Sequence, residues 1–253
     1  MRTLTTKLLF LGGAIGPVLF VIVFLVAGAA RPDYNSWQTT ISTLSLGPQG
    51  WIQIVNFCLF GLFTLCFAVG LRRVSSTGPG SRWGPILLCI VGLGLITAGP
   101  FVTDPILGYP PGLSNDAQTS LHGTIHNTAS LIVFMALPAA CFVMGWRFAR
   151  DRAWRGWALY SVATGVVILV FVAWFFASIV ASTHAQASGT APPGLLERLF
   201  TIIGCCWLSL LALRFSIEKT SSDLGSHRAM REQSIFRDAI RPSSFVGQSP
   251  TNS

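Results

Sequence analysis

Six long apolar stretches, separated by short polar segments, run from the start of the chain to about residue 215. A helix needs about 20 apolar residues to cross roughly 30 Å of hydrocarbon, and each stretch approaches that length. The pattern predicts spans at about 8–30, 51–71, 84–102, 122–146, 157–182 and 195–215. Arg2 and Lys7 precede the first stretch, and Ala27-Gly28-Ala29 has the look of a signal-peptide cleavage site. Its apolar core, Leu8 to Val26, is longer than the roughly 7–15 residues of a signal sequence, so an uncleaved span is expected.

The polar segments add detail. In residues 31–50, Trp37, Ile41 and Leu44 recur at i, i+4 and i+7 with hydroxyls on the other faces, which predicts a short helix lying at the membrane interface. The connections 72–83 and 147–156 are short, which favours antiparallel neighbours. Residues 216–253 are polar, rich in Ser and Arg, and expected to be a mostly disordered tail. A short amphipathic piece around Met230, Ile235, Phe236 and Ile240 is the exception within it. The expected fold is therefore all-α, a polytopic six-helix transmembrane bundle over 1–215 with an interfacial helix in the first outer loop and a cytoplasmic tail.

Composition agrees with the pattern. Of the 253 residues, 51% are hydrophobic and only 10% charged, too few to build a water-facing shell around a core of this size. The formal charge of +8 raises the question of nucleic acid, but the basic residues lie in short loops rather than on one water-facing domain. Sorted by side, only Arg31 and Arg198 of the 17 Lys and Arg fall opposite the rest. The positive-inside rule then places both termini in the cytoplasm and the protein in the cell membrane. Trp83, Trp146, Trp154 and Trp157 flank the basic loops, as interfacial anchors do. All six cysteines lie inside apolar runs, where they read as packing residues rather than disulfides or metal knuckles.

Several segments carry a resemblance. They are Arg31-Pro-Asp-Tyr34, Ile41 to Trp51, Thr103-Asp-Pro105 with Gly108-Tyr-Pro-Pro-Gly112, Leu121-His-Gly-Thr-Ile-His-Asn127, Trp154 to Ser161 and Glu197-Arg-Leu-Phe200. Over about residues 10–215 the chain resembles the bacterial and archaeal membrane-protein family catalogued as domain of unknown function 998. The resemblance implies a six-span membrane protein and brings no established activity.

Candidate chemistry gathers at the expected outer end. His122, His126 and Ser130 sit at i, i+4 and i+8, one stripe entering the fourth span. Asp104 follows the third span, and Gln53 and Asn56 lie one turn apart at the start of the second. Together these six residues define an expected polar pocket, because ionisable groups near hydrocarbon are costly and signal function by default. Three readings compete. His122, His126 and Asp104, completed by His184 or Asp33, would hold a zinc-like divalent ion and hydrolyse a lipid-like ester or amide, with Ser42 or Ser45 positioning substrate. No Glu follows His122, so the His-Glu-x-x-His protease pattern is missing. Alternatively His126, Asp104 and Asn56 would serve a small-solute or proton-coupled transporter. The third reading is a non-catalytic sensor, assembly factor or lipid-binding scaffold whose histidines tie loops to helix ends. Its partners would be the bilayer and a lipid or small-molecule ligand. No phosphate-binding loop, Gly-x-Ser-x-Gly elbow or Cys/His knuckle occurs, which argues against nucleotide hydrolysis and nucleic-acid binding.

Overall fold

The computed structural model describes residues 2–74, 78, 80–112, 119–183 and 192–240, with 2–3, 183 and 219–240 as backbone only. Six α-helices account for most of it: α1 Arg2–Ala30, α2 Gly50–Val74, α3 Trp83–Ala98, α4 Leu121–Phe148, α5 Arg155–Thr183 and α6 Pro193–Ile240. Among the described residues there is no strand beyond one isolated bridge, Ile106 with Tyr109. Five helices are long and apolar enough to cross a membrane, and α3, at 16 residues, is the short exception.

The helix ends follow local chemistry. Ser120 caps α4 by accepting the Gly123 N–H, and Asp151 accepts the Ala153 N–H in the 3-10 turn that leads into α5. The sequence predicts the third span to reach residue 102, but α3 stops at Ala98. Pro100 is the physical reason: Gly99 still has helical φ/ψ and donates to Leu95 O, but Pro100 has no N–H to continue the ladder.

Residues 1–216 form one compact unit. Consecutive helices pack in order from α1 to α5. The first part of α6 closes the arrangement: Phe215 stacks on Phe10 of α1, Phe200 packs on Phe134 of α4 and Phe175 of α5, and Trp207 Nε1 donates to Ser161 Oγ of α5. At one end of the bundle an aromatic cluster of Phe10, Phe67, Phe148, Trp154 and Phe215 fills the core, with the Arg214 guanidinium 4.6 Å above the Trp154 ring. Leu8, Leu11, Ile15, Val18 and Ile22 of α1, and Leu159, Val166, Val170 and Phe176 of α5, face outward, a surface suited to hydrocarbon and not to water.

The connection 31–49 departs from expectation. Instead of one amphipathic helix it forms a turn at 35–39, closed by Thr39 N to Asn35 O, and a 3-10 turn Ser42–Ser45. Trp37 is exposed, whereas Ile41 and Leu44 are buried, so the three do not share a face. The hydroxyls explain the difference, since Thr43 Oγ1 donates to Thr40 O and Ser45 Oγ to Ser42 O, local bonds that compete with a helical ladder. The second unit, 217–253, begins within α6, whose backbone is helical through Ile240. The sequence predicts a mostly disordered tail over 216–253, of which 241–253 lie outside the described residues. A helix already nucleated upstream extends at little further cost, which accounts for the continuation through Ile240.

Candidate functional site

The residues expected to form a polar pocket have separate employments. His126 is buried, and its Nδ1 donates to the carbonyls of Ala98 (2.9 Å) and Phe101 (2.8 Å). These are carbonyls released where α3 ends at Pro100, so His126 caps α3 from α4. Because both acceptors are carbonyls, the Nδ1–H tautomer is fixed. His122, one turn earlier, is exposed and lies against the Phe101 ring at 5.4 Å. Asp104 takes the Ser120 N–H on Oδ2 and the Ser120 hydroxyl on Oδ1, bracing the residue that caps α4. Asn56 Nδ2 donates to Gln53 Oε1 and to Phe20 O, joining α2 to α1, while Gln53 Nε2 is buried without a partner.

Among the described residues no three His, Cys, Asp or Glu side chains are placed to hold one metal ion. His184, a possible third ligand, lies outside the described residues.

Helix α6 carries a buried acid and a buried base side by side. Glu197 and Arg198 are adjacent, both buried, and divide the backbone of the 31–49 connection between them. Glu197 Oε2 accepts the Ile41 N–H at 2.6 Å. Arg198 donates from one terminal nitrogen to Thr39 O (2.9 Å) and Gly194 O (2.8 Å), and from the other to the Tyr34 hydroxyl (2.5 Å). The Tyr34 hydroxyl in turn donates to Thr40 O at 2.8 Å. Burial pushes the Tyr34 pKa up to about 12, opposed in part by the charge and hydrogen bond of Arg198. Arg31 adds a bond to Leu46 O, and Tyr109 packs edge-on against Tyr34 at 5.2 Å. Gly194 permits the close docking, because a Cβ there would fall against Thr39 O and Ser36 O of the connection.

Below this clasp lies a chamber in the interior of the bundle. Every helix contributes to its wall, from Phe20, Phe57, Phe60, Val91 and Leu95 to Val133, Leu137 and Ile168. Its polar groups are few: Ser42, Ser130, Glu197 and Thr201. The volume reachable by the centre of a water-sized sphere is ≈ 60 Å³, several times the ~10–15 Å³ that one water requires. Glu197, Thr201 and Cys205 stand at i, i+4 and i+8 on one face of α6, so they mark depth along the chamber. At a rise of 1.5 Å per residue this stripe spans ~12 Å, polar at the Glu197 end and apolar at Cys205. Of the six residues expected to form a pocket, Ser130 alone is among those lining this chamber.

Glu197 and Arg198 stand side by side at the start of an apolar helix, and the spacing of Glu197 to Thr201 on one face of α6 was the available signal. What the sequence did not carry is the docking of residues 34–45 onto that helix end, a contact between segments some 160 positions apart.

An all-helical bundle with five helices fit to cross a membrane, an outward-facing apolar surface and an interior chamber defines a helical, multi-pass membrane protein. Residues 14–214 match the family described as protein of unknown function (DUF998), and the chain belongs to that family. No curated protein and no solved structure matches it.

Proposed function

We propose that the chain is a six-span protein of the cell membrane, with α3 as the short sixth span, that binds a lipid-like ligand in its interior chamber without transforming it. Both termini are cytoplasmic and the Glu197 end of the chamber faces outward in this reading, on the distribution of Lys and Arg. The observation that carries it is the chamber itself, a mostly apolar enclosure among six helices with a small polar group set at one end. Ligand sites are built this way, apolar walls supplying affinity and a few polar atoms fixing orientation. The histidines favour a non-catalytic role, since His126 spends its Nδ1–H on the end of α3 and Asp104 is tied to the α4 cap.

The test is extraction of the purified full-length protein with organic solvent, followed by mass spectrometry of what is released. One single-chain amphiphile per protein is expected, falling at least tenfold in Ser130→Phe, whose ring would occupy the chamber. Protein that carries no amphiphile, and whose thermal melting does not respond to added ones, would refute the reading.

A further inference from the structure

We infer that the chamber selects a neutral, single-chain amphiphile ending in a hydroxyl group, seated against the carboxyl of Glu197 and the hydroxyls of Ser42, Ser130 and Thr201. The inference rests on the lipid-binding reading and adds the ligand's chemistry to it. Three observations support it.

The first is the state of Glu197. It is buried, it lines the chamber, and its one hydrogen bond among the described residues, from Ile41 N, goes to Oε2. Oε1 is left with acceptor capacity, and a buried carboxyl oxygen gains strongly from a donor. A hydroxyl both donates and accepts, so it answers Oε1 and the neighbouring Ser and Thr hydroxyls together.

The second is where positive charge is not. Arg198 is the cation closest in sequence, but it is absent from the chamber wall, and its terminal nitrogens are taken by Thr39 O, Gly194 O and Tyr34. A carboxylate or phosphate head would face Glu197 with no compensating cation in the wall, which a buried site does not tolerate.

The third is shape. The ~12 Å from Glu197 to Cys205 is less than half of the ~30 Å hydrocarbon core, so the tail is short. Spread along that stripe, the ≈ 60 Å³ open to the centre of a water-sized sphere favours one chain over two acyl tails side by side.

The experiment uses the full chain in lipid nanodiscs and a decan-1-ol analogue bearing a diazirine near mid-chain. After irradiation, cross-links are mapped by peptide mass spectrometry, with unlabelled decan-1-ol, decane, decanoate or decylamine as competitors. Labelling is expected on chamber residues such as Phe134, Leu137 and Phe200. Decan-1-ol should compete roughly tenfold better than decane, the weight of one good hydrogen bond to a carboxyl group. Glu197→Met should erase that advantage while leaving decane unchanged. Because Glu197→Met also removes the partner of Ile41 N, Thr201→Val provides a milder variant, and it should reduce the advantage severalfold. Absence of chamber labelling by any chain overturns the lipid-binding reading. Labelling that all four competitors block equally leaves that reading standing and overturns the hydroxyl inference. Preferential competition by decanoate or decylamine overturns it as well, since the seat would then be reading charge.

Discussion

At the scale of single residues, His126 and the Glu197–Arg198 pair do most of the joining. His126, read from sequence either as a ligand or as a tie between loop and helix end, caps α3, whereas Glu197 and Arg198 hold a connection in place and Glu197 furnishes the chamber's carboxyl. His126→Ala should therefore cost ~1–3 kcal/mol, the penalty of leaving buried carbonyls without a donor. His122→Ala, at an exposed position, should stay within about 0.5 kcal/mol of wild type. Paired thermal melts in one detergent check both, and equal losses from the two variants would contradict the capping role. Tyr34 gives a pH signature. Its pKa is raised from 10.0 to about 12, so between those values the unfolded chain has released the phenolic proton while the folded chain still holds it. The associated stability is complete below pH 10 and disappears as pH rises toward about 12. At 1.36 kcal/mol per unit this amounts to about 2–3 kcal/mol, and Tyr34→Phe should flatten that part of the stability profile.

At the scale of elements, α2 and α3 show how closely these helices approach. Gly61 and Gly92 face each other, and a Cβ on Gly61 would stand 2.5 Å from Gly92 O and one on Gly92 2.8 Å from Gly61 O. Backbone carbonyls cannot step aside as side chains do, so a methyl group at either position must part the helices. Small residues commonly admit such contacts between membrane helices. Gly61→Ala and Gly92→Ala should each destabilise by ~1–3 kcal/mol, whereas Gly156→Ala, which meets nothing within 4 Å, should be neutral or slightly stabilising. A melting series over the three variants is sufficient, and a Gly156→Ala loss as large as the others would show that the effect is not steric. The two Gly→Ala losses also bear on the chamber, because Phe57, Phe60, Val91 and Leu95 line it from these same two helices.

At the scale of the whole molecule, the elements were legible because apolar run length and helix length answer to the same physical thickness. Helices α2, α4 and α5 begin and end within a few residues of expectation, and α3 is shortened where Pro100 interrupts it. The site was legible only in part. Periodicity put Ser130 on one stripe with His122 and His126, but it could not show that His126 would be claimed by Ala98 and Phe101. Nor could it show that Tyr34, Thr39 and Ile41 would meet α6. Those contacts depend on tertiary docking between distant segments, for which a local pattern holds no information. The same docking sharpens the topology prediction, since it gathers residues 31–49, Tyr109 and Glu197 at one end, while Phe10, Phe148, Trp154 and Phe215 gather elsewhere with Arg214 beside them. If the positive-inside rule governs insertion, a cysteine at exposed Trp37 should react with a membrane-impermeant maleimide in intact cells, and one at exposed Arg152 only after permeabilisation. Both are read in a background where the six native cysteines are replaced, because Cys206 is exposed. The reverse pattern would turn the Glu197 end of the chamber toward the cytoplasm. The proposed alcohol would then have to be delivered from inside the cell, although the chemistry of its seat would be unchanged.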